Sequence, residues 1–234
     1  MFDFQTQPAN CPGCGEPCEA VTFGKAIRYL CDFCAAADAA RARHADRKNE
    51  CLELWRRHTP TEYQQPIIRE RLAADYLPAM DHSGMEGIAL IGPSGGGKTR
   101  IAYALLKKAS LAGKKTYSIS HSLFRQSVAE RHSNDKEIAA TAQNRLAIAR
   151  NVPFLLFDDV GKGTTAEAGS EALYELLAHR RDKRLVTHWT ANNGSAWIVS
   201  RYGPDRGPAI AIRLANLAGC YSPGTGRIFT QKNK

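Results

Sequence analysis

The chain has 234 residues, of which 43% are hydrophobic, and a formal net charge of +9. This length predicts one medium-sized domain with a small appendage, and the hydrophobic share is typical of a soluble globular protein. No run of about eighteen apolar residues occurs, which excludes a membrane-spanning helix, and Met1 to Gln5 lack the features of a signal peptide, so we expect an intracellular protein.

Four N-terminal cysteines have the spacing of a metal site. Cys11 and Cys14 form one C-x₂-C pair, and Cys31 and Cys34 form a second pair after sixteen intervening residues. This spacing predicts a four-thiolate zinc ribbon, and a segment so small needs the bound metal in order to fold. Disulfide bonds are the alternative, which a reducing cell interior disfavours. Cys18 is a further thiol that could replace one of the four ligands.

The next segment is predicted to be helical. Alanine and charged residues favour a helix over residues 35–58, which Pro60 ends, and a second helix over residues 62–77 that stops before Pro78. We therefore divide the chain into a zinc-binding module with the start of a helix (1–50), a helical linker (51–84) and a nucleotide-binding domain (85–234).

The nucleotide-binding domain opens with a phosphate-binding loop. Its sequence satisfies G-x-x-x-x-G-K-[ST] between a strand-like segment and a helical one, and it consists of Gly92, Pro93, Ser94, Gly95, Gly96, Gly97, Lys98 and Thr99. In such a loop Lys98 reaches the β- and γ-phosphates of ATP and the Thr99 hydroxyl binds Mg²⁺. Arg100 follows directly and is included among the nucleotide-binding residues. A glycine-rich turn before an ordinary helix is the alternative.

Strands and helices alternate after this loop. The strands are predicted at 115–120, 153–158 and 184–190, and the helices at 121–150 (two helices, broken near Ser133), 166–180, 196–202 and 208–218. Alternation of this kind predicts an α/β fold, a parallel sheet with helices on both faces.

Polar residues follow two of these strands. Asp158 and Asp159 end a buried-type strand, where Asp158 would bind Mg²⁺ and Asp159 would orient or deprotonate the attacking water. Asn192 ends the next strand, where an amide can contact the γ-phosphate or the water. The alternatives are solvated turn acids and a left-handed turn position for Asn192.

The last part of the chain is basic. Residues 180–234 hold only two acidic residues but ten basic ones: Arg180, Arg181, Lys183, Arg184, Arg201, Arg206, Arg213, Arg227, Lys232 and Lys234. This excess favours a polyanionic partner, most simply nucleic acid, whereas the alternative is a solvated basic surface. Arg213, on a predicted helix, could instead be an arginine finger that reaches the ATP of a neighbouring subunit, or an ordinary surface arginine.

The order of these motifs resembles that of the DnaC-type helicase loaders of the AAA+ class, and it is similar to that of the IstB-type transposition helpers. The resemblance covers residues 85–234 and rests on the phosphate-binding loop and on three segments: 154–161, 190–192 and 211–214. The upstream Trp55 and the segment from Pro60 to Tyr63 look like the lead-in of phage and bacterial DnaC-like proteins, in which a zinc ribbon also occurs.

The resemblance implies a P-loop NTPase with an AAA+ core that binds ATP and Mg²⁺, assembles as a homo-oligomer on single-stranded DNA and delivers a replicative helicase. It implies a cytoplasmic location in a bacterium or a phage-infected host cell. The implied roles are Walker A for Lys98 and Thr99, Walker B for Asp158 and Asp159, sensor 1 for Asn192, and a trans arginine finger for Arg213.

The chain departs from larger AAA+ proteins in two respects. Many of them have Asp-Glu where this chain has Asp158-Asp159, so we expect slow hydrolysis that DNA or a partner stimulates. Because the sequence ends about 20 residues after Arg213, no helical lid domain is expected.

Three other functions remain open at this point. A transposition helper would share the ATPase site but have a transposase as its partner. A small-molecule kinase would need an acceptor pocket and a lid, for which the sequence offers no candidate residues. An adaptor that binds ATP and nucleic acid with little hydrolysis would need the same loop but not its catalytic residues.

Overall fold

A computed structural model describes residues 5–23, 25–163, 167–221 and 228–229. Arg227, Lys232 and Lys234, three of the basic residues counted above, lie outside the described residues. The chain divides into two compact units, Met1–Asn49 and Glu50–Lys234. The predicted domain boundaries at 50 and 84 stay a prediction.

The first unit is a small antiparallel sheet followed by the start of a helix. Its strands are β1 (Gln5–Asn10), β2 (Pro17–Phe23) and β3 (Ala26–Leu30), in the order β1-β2-β3, and helix α1 spans Asp32–His58. Among the described residues of this unit, only Cys11, Ala20 and Cys31 are buried apolar residues. The unit therefore has almost no core beyond the residues around its cysteines, as its size predicts.

The second unit contains a six-stranded sheet in the order β5-β6-β7-β4-β8-β9. The strands are β4 (Ile88–Ile91), β5 (Thr116–Ser120), β6 (Phe154–Asp158), β7 (Val186–Ala191), β8 (Gly219–Tyr221) and β9 (Ile228–Phe229). All neighbouring pairs are parallel except β8 and β9, which are antiparallel. The predicted parallel α/β sheet is confirmed, with the addition of an antiparallel edge.

Six helices accompany this sheet in the described residues: α2 (Thr61–Gln64), α3 (Lys98–Leu111), α4 (His121–Glu130), α5 (Lys136–Asn151), α6 (Glu167–Asp182) and α7 (Ser195–Leu217). Asp135 accepts hydrogen bonds from the first backbone N–H groups of α5, which separates α4 from α5 as predicted. Gly203, with φ of 76°, interrupts α7 between the two predicted helices. No helix in the described part is long and apolar enough to cross a membrane.

Alternating side chains give the sheet two apolar faces. On β4, Ile88 and Leu90 pack in one core cluster and Ala89 packs in the other, and β6 alternates in the same way. One cluster includes residues of α3, and the other includes residues of α4, α5, α6 and α7. The period of two in the strands therefore accounts for helices on both faces.

The predicted helix over residues 62–77 is wrong. The structure has the single turn α2, then 3₁₀ helices at Arg69–Arg71 and Ala74–Asp81 with extended residues between them. Gln65 is extended at φ −67° and ψ 152°, because the ring of Pro66 disfavours the helical conformation in the preceding residue. The 3₁₀ helix Ala74–Asp81 buries Tyr76 and Ala79 in the core.

Arg180 is a structural residue rather than part of a basic surface. Its side chain is 0% exposed and donates hydrogen bonds to the Thr187 hydroxyl and to four backbone carbonyls, those of Ala149, Arg150, Val152 and Val186. Burial lowers the pKa of its guanidinium to about 9. The last carbonyls of α5 have no hydrogen-bond donors within the helix, and the Arg180 guanidinium provides these donors.

We predict that Arg180→Met lowers the free energy of unfolding by about 3 kcal/mol, because it leaves several buried carbonyls unpaired. Urea unfolding of the variant and the wild type checks this. The neighbouring Arg181→Met is the matched control, since Arg181 is exposed and forms only a surface ion pair with Asp182, and it should change stability by less than about 0.5 kcal/mol. Equal stability of the two variants would contradict the role of Arg180.

Candidate functional site

Four of the predicted site residues meet at one edge of the sheet. Because β4 and β6 both pair in parallel with β7, their carboxyl ends lie side by side. The Thr99 hydroxyl donates to Asp158 Oδ1 at 3.1 Å, and Lys98 Nζ donates to Asn192 Oδ1 at 3.2 Å. The structure thus brings together Lys98, Thr99, Asp158 and Asn192, which are up to 94 positions apart in the sequence.

The phosphate-binding loop wraps around the Lys98 ammonium group. Lys98 is only 5% exposed, and its Nζ donates to the carbonyl of Pro93 at 2.7 Å. Burial lowers the pKa of Lys98, against the opposing effect of Asp159 and Asp158. An anion within the loop would stabilise this cation, and the N-terminus of α3 adds free backbone N–H groups.

The segment between α2 and β4 packs against the phosphate-binding loop. The Tyr76 hydroxyl donates to the carbonyl of Ile91 at 2.8 Å, where β4 enters the loop. Gly97 has φ of 88°, and a Cβ there would lie 2.3 Å from the side chain of Leu72. The backbone conformation and the close packing both require glycine at this position.

Thr190 connects the two acidic residues. Its hydroxyl donates to Asp158 Oδ1 at 2.5 Å and accepts from the backbone N–H of Asp159 at 2.9 Å. Burial raises the pKa of Asp158, while the Thr190 hydrogen bond opposes that rise. Asp158 and Thr99 together offer the hard oxygen ligands that Mg²⁺ prefers. Sequence reasoning assigned no role to Thr190, although it lies on β7 only two residues before Asn192.

The alternative conformation proposed for Asn192 is not observed. Among the described residues other than glycine, only Asp159 and Arg184 have positive φ. The Asn192 side chain instead accepts a hydrogen bond from Lys98. Asp159 is the residue in the left-handed region, with φ of 58°.

Arg100 and Arg213 contact aromatic rings. The Arg100 guanidinium lies 5.7 Å from the ring centroid of Tyr63, which stacks on Tyr103. The Arg213 guanidinium lies 3.7 Å from the ring centroid of Tyr174 on α6, and its Nη2 donates to that hydroxyl at 2.7 Å. These contacts place neither arginine with the four residues that converge at the sheet edge.

The predicted metal ligands also converge. The Sγ atoms of Cys11, Cys14, Cys31 and Cys34 all lie within 4.8 Å of one another, and two of the Sγ pairs are 3.5 Å apart. A tetrahedron of thiolates at about 2.3 Å from zinc has edges of about 3.8 Å, so the cluster fits a four-thiolate site.

Ionisation of the four thiols in this cluster depends on a bound cation. The backbone N–H groups of Gly13 and Cys14 lower the pKa of Cys11 to about 7. A hydrogen bond with Cys11 raises the pKa of Cys34 well above its usual range. Four thiolates this close repel one another, so all four ionise together only when a cation lies between them.

Behind the acidic pair lies a buried histidine. His121 begins α4 with its Nδ1 3.1 Å from the carbonyl of Lys162 and its Nε2 3.0 Å from the hydroxyl of Tyr202. The carbonyl can only accept, so Nδ1 carries the proton and Nε2 accepts from the Tyr202 hydroxyl. Burial lowers the pKa of His121 to about 4.

The chain is similar to known proteins in sequence and in structure. Residues 47–199 match the family described as IstB-like ATP binding protein. No curated protein matches the chain.

Three solved structures share its fold. The DnaC helicase loader is 19% identical with a TM-score of 0.50, covering 69% of this chain and 98% of that one. DnaI is 19% identical with a TM-score of 0.52, covering 72% and 94%. A proposed primosome component from Streptococcus pyogenes serotype M3 is 20% identical with a TM-score of 0.53, covering 70% and 88%. At these identities the likeness establishes the fold.

We predict that the protein loses stability as the pH falls from 6.5 towards 4. His121 is protonated below about pH 6.5 in the unfolded chain but only near pH 4 in the folded protein. The free energy of unfolding therefore falls by about 2–3 kcal/mol across this pH range. Urea unfolding at several pH values should show a shallower dependence for His121→Asn than for the wild type. The exposed His132 supplies a control, because His132→Asn should keep the wild-type dependence, and a wild-type dependence in His121→Asn would contradict the prediction.

Proposed function

Because this chain belongs to the IstB-like ATP-binding proteins, we propose that it is an ATPase of DNA replication that loads a replicative helicase onto single-stranded DNA. The observation that carries the proposal is the convergence of Lys98, Thr99, Asp158 and Asn192 at the end of the sheet. The likeness of the fold to that of the DnaC helicase loader supports the loading role.

The residues of the site have separate roles in hydrolysis. The backbone of the loop and Lys98 would hold the β- and γ-phosphates, and Asn192 would contact the γ-phosphate or the attacking water. Thr99 and Asp158 would hold Mg²⁺, which supplies charge neutralisation at the phosphates.

Asp159 would orient the water and accept its proton. The water oxygen attacks the γ-phosphorus, the bond from that phosphorus to the β,γ-bridging oxygen breaks, and its electron pair leaves with ADP.

Nucleic-acid binding would use the exposed basic residues of the second unit. Lys183, Arg184 and Arg201 are exposed, and they would contact DNA phosphates without reading sequence. Other members of the basic segment have partners within the fold: Arg180 is buried and Arg206 pairs with Glu171.

We further propose that the protein assembles as a homo-oligomer in which Arg213 reaches the ATP of a neighbour. In the single chain the Arg213 guanidinium contacts the ring of Tyr174, and the buried Nε of Arg213 has no hydrogen-bond partner. Arg213 would leave this ring when a neighbouring phosphate offers a stronger, charge-assisted interaction. The cysteine module would bind the helicase.

A transposition helper is the second candidate, favoured by the family match itself. It would use the same ATPase site, so only the partner distinguishes the two. Co-elution of the purified chain with the host replicative helicase supports the loader, whereas co-elution with a transposase supports the helper. A chain lacking residues 1–49 that binds the helicase equally well would reject the module's role.

We predict slow ATP hydrolysis that single-stranded DNA accelerates and that Lys98→Ala abolishes. Asp159→Asn should lower kcat by about 100-fold or more while nucleotide binding persists, because it removes the proton acceptor but not the phosphate contacts. Phosphate release and fluorescent-nucleotide binding measure the two effects. Exposed Lys136→Met is the control and should match the wild type. Full helicase loading by Lys98→Ala would instead favour an adaptor that needs no hydrolysis.

We predict about one zinc ion per chain, held by Cys11, Cys14, Cys31 and Cys34. Metal analysis of protein purified without oxygen tests this. Cys34→Ser should lose the zinc, whereas Cys18→Ser should retain it because Cys18 lies outside the cluster of four. Zinc-free wild-type protein, or loss of zinc only in Cys18→Ser, would overturn the assignment.

A further inference from the structure

Asp159, the proposed acceptor of the water proton, already has a cationic partner. Lys162 Nζ lies 3.0 Å from Asp159 Oδ2. The Asp159 side chain is 30% exposed and that of Lys162 is 67% exposed. One carboxylate oxygen is thus occupied by an ammonium group that is itself accessible to solvent and to other anions.

The backbone beneath Lys162 is held in place by buried groups. The Lys162 carbonyl accepts from His121, and His121 in turn accepts from the Tyr202 hydroxyl. Gly161 packs against Trp197 so closely that a Cβ would lie 2.3 Å from the indole ring. The start of the Lys162 side chain is therefore fixed, whereas its ammonium end is free to exchange partners.

We propose that Lys162 restrains Asp159 in the free protein, and that a phosphate of single-stranded nucleic acid withdraws this lysine and releases the carboxylate for the attacking water. The inference rests on the proposed ATPase function and adds to it a positioning residue and a route by which DNA accelerates hydrolysis. While the Lys162 ammonium group occupies Asp159 Oδ2, that oxygen is not available to bind the attacking water.

The strength of the ion pair suits a reversible restraint. An exposed pair of this kind changes an equilibrium by about two- to fivefold, so it slows hydrolysis without preventing it. A DNA phosphate would compete with Asp159 for the Lys162 ammonium group. The exposed Arg201 would attract such a phosphate to this region, because its guanidinium lies 4.9 Å from the ring centroid of Trp197, which packs against Gly161.

The test compares kcat and KM for ATP with and without single-stranded oligonucleotide. Lys162→Met should raise the DNA-free kcat about two- to fivefold, leave KM unchanged and reduce the stimulation by DNA by the same factor. Lys162→Arg retains a positive charge at this position and should keep the wild-type kcat, KM and stimulation by DNA. Exposed Lys136→Met is the control for loss of one positive charge. An unchanged or lower DNA-free kcat in Lys162→Met would overturn the proposal.

A double variant identifies the target of Lys162. In an Asp159→Asn background, Lys162→Met should have no further effect on kcat, and an additional rise would show that Lys162 acts elsewhere. If the wild type binds ATP but does not hydrolyse it under either condition, the proposed ATPase function fails. The restraint slows hydrolysis by only about two- to fivefold, so it is rejected together with that function. DNA stimulation of the wild type with unchanged kinetics in Lys162→Met rejects the restraint alone.

Discussion

The parallel register of β6 and β7 places one hydroxyl, that of Thr190, between the carboxylate of Asp158 and the backbone of Asp159. Both groups are partly buried, and a buried polar group without a partner is costly. Thr190 therefore fixes the direction of the first acid and the backbone conformation of the second. The Thr99 hydroxyl binds the Asp158 carboxylate, and the Lys162 ammonium group binds the Asp159 carboxylate. The positions of these two side chains therefore depend on the arrangement that Thr190 holds.

Much of the site is local in sequence, and that part could be predicted. The spacing of Gly92, Lys98 and Thr99 is fixed by the shape of a phosphate, and the polar ends of buried strands must meet at the edge of a parallel sheet. The spacing of four cysteines is fixed by one metal ion in the same way. The structure brings the four cysteines together and places Lys98 and Thr99 beside Asn192 and Asp158. The roles of Lys98 and Thr99 towards ATP and Mg²⁺ stay predictions.

The remainder depends on contacts between distant segments. Composition favoured a helix over residues 62–77, but Pro66 and the packing of Leu72 and Tyr76 behind the loop decide its path. Arg180 was counted as a surface charge, and only the tertiary structure shows that its partners include carbonyls at the end of α5 and the first carbonyl of β7. Charge in a sequence thus overstates charge on a surface, since several arginines of the last segment are used within the fold.

The conformation of Asp159 bears on which residue type this position accepts. At φ of 58°, most side chains are disfavoured, whereas aspartate and asparagine are tolerated best. Glutamate, which stands here in many AAA+ ATPases, would gain a methylene of reach but would fit this backbone less well. The short acid is therefore matched to its turn, and an exchange to glutamate would require the turn after β6 to change with it.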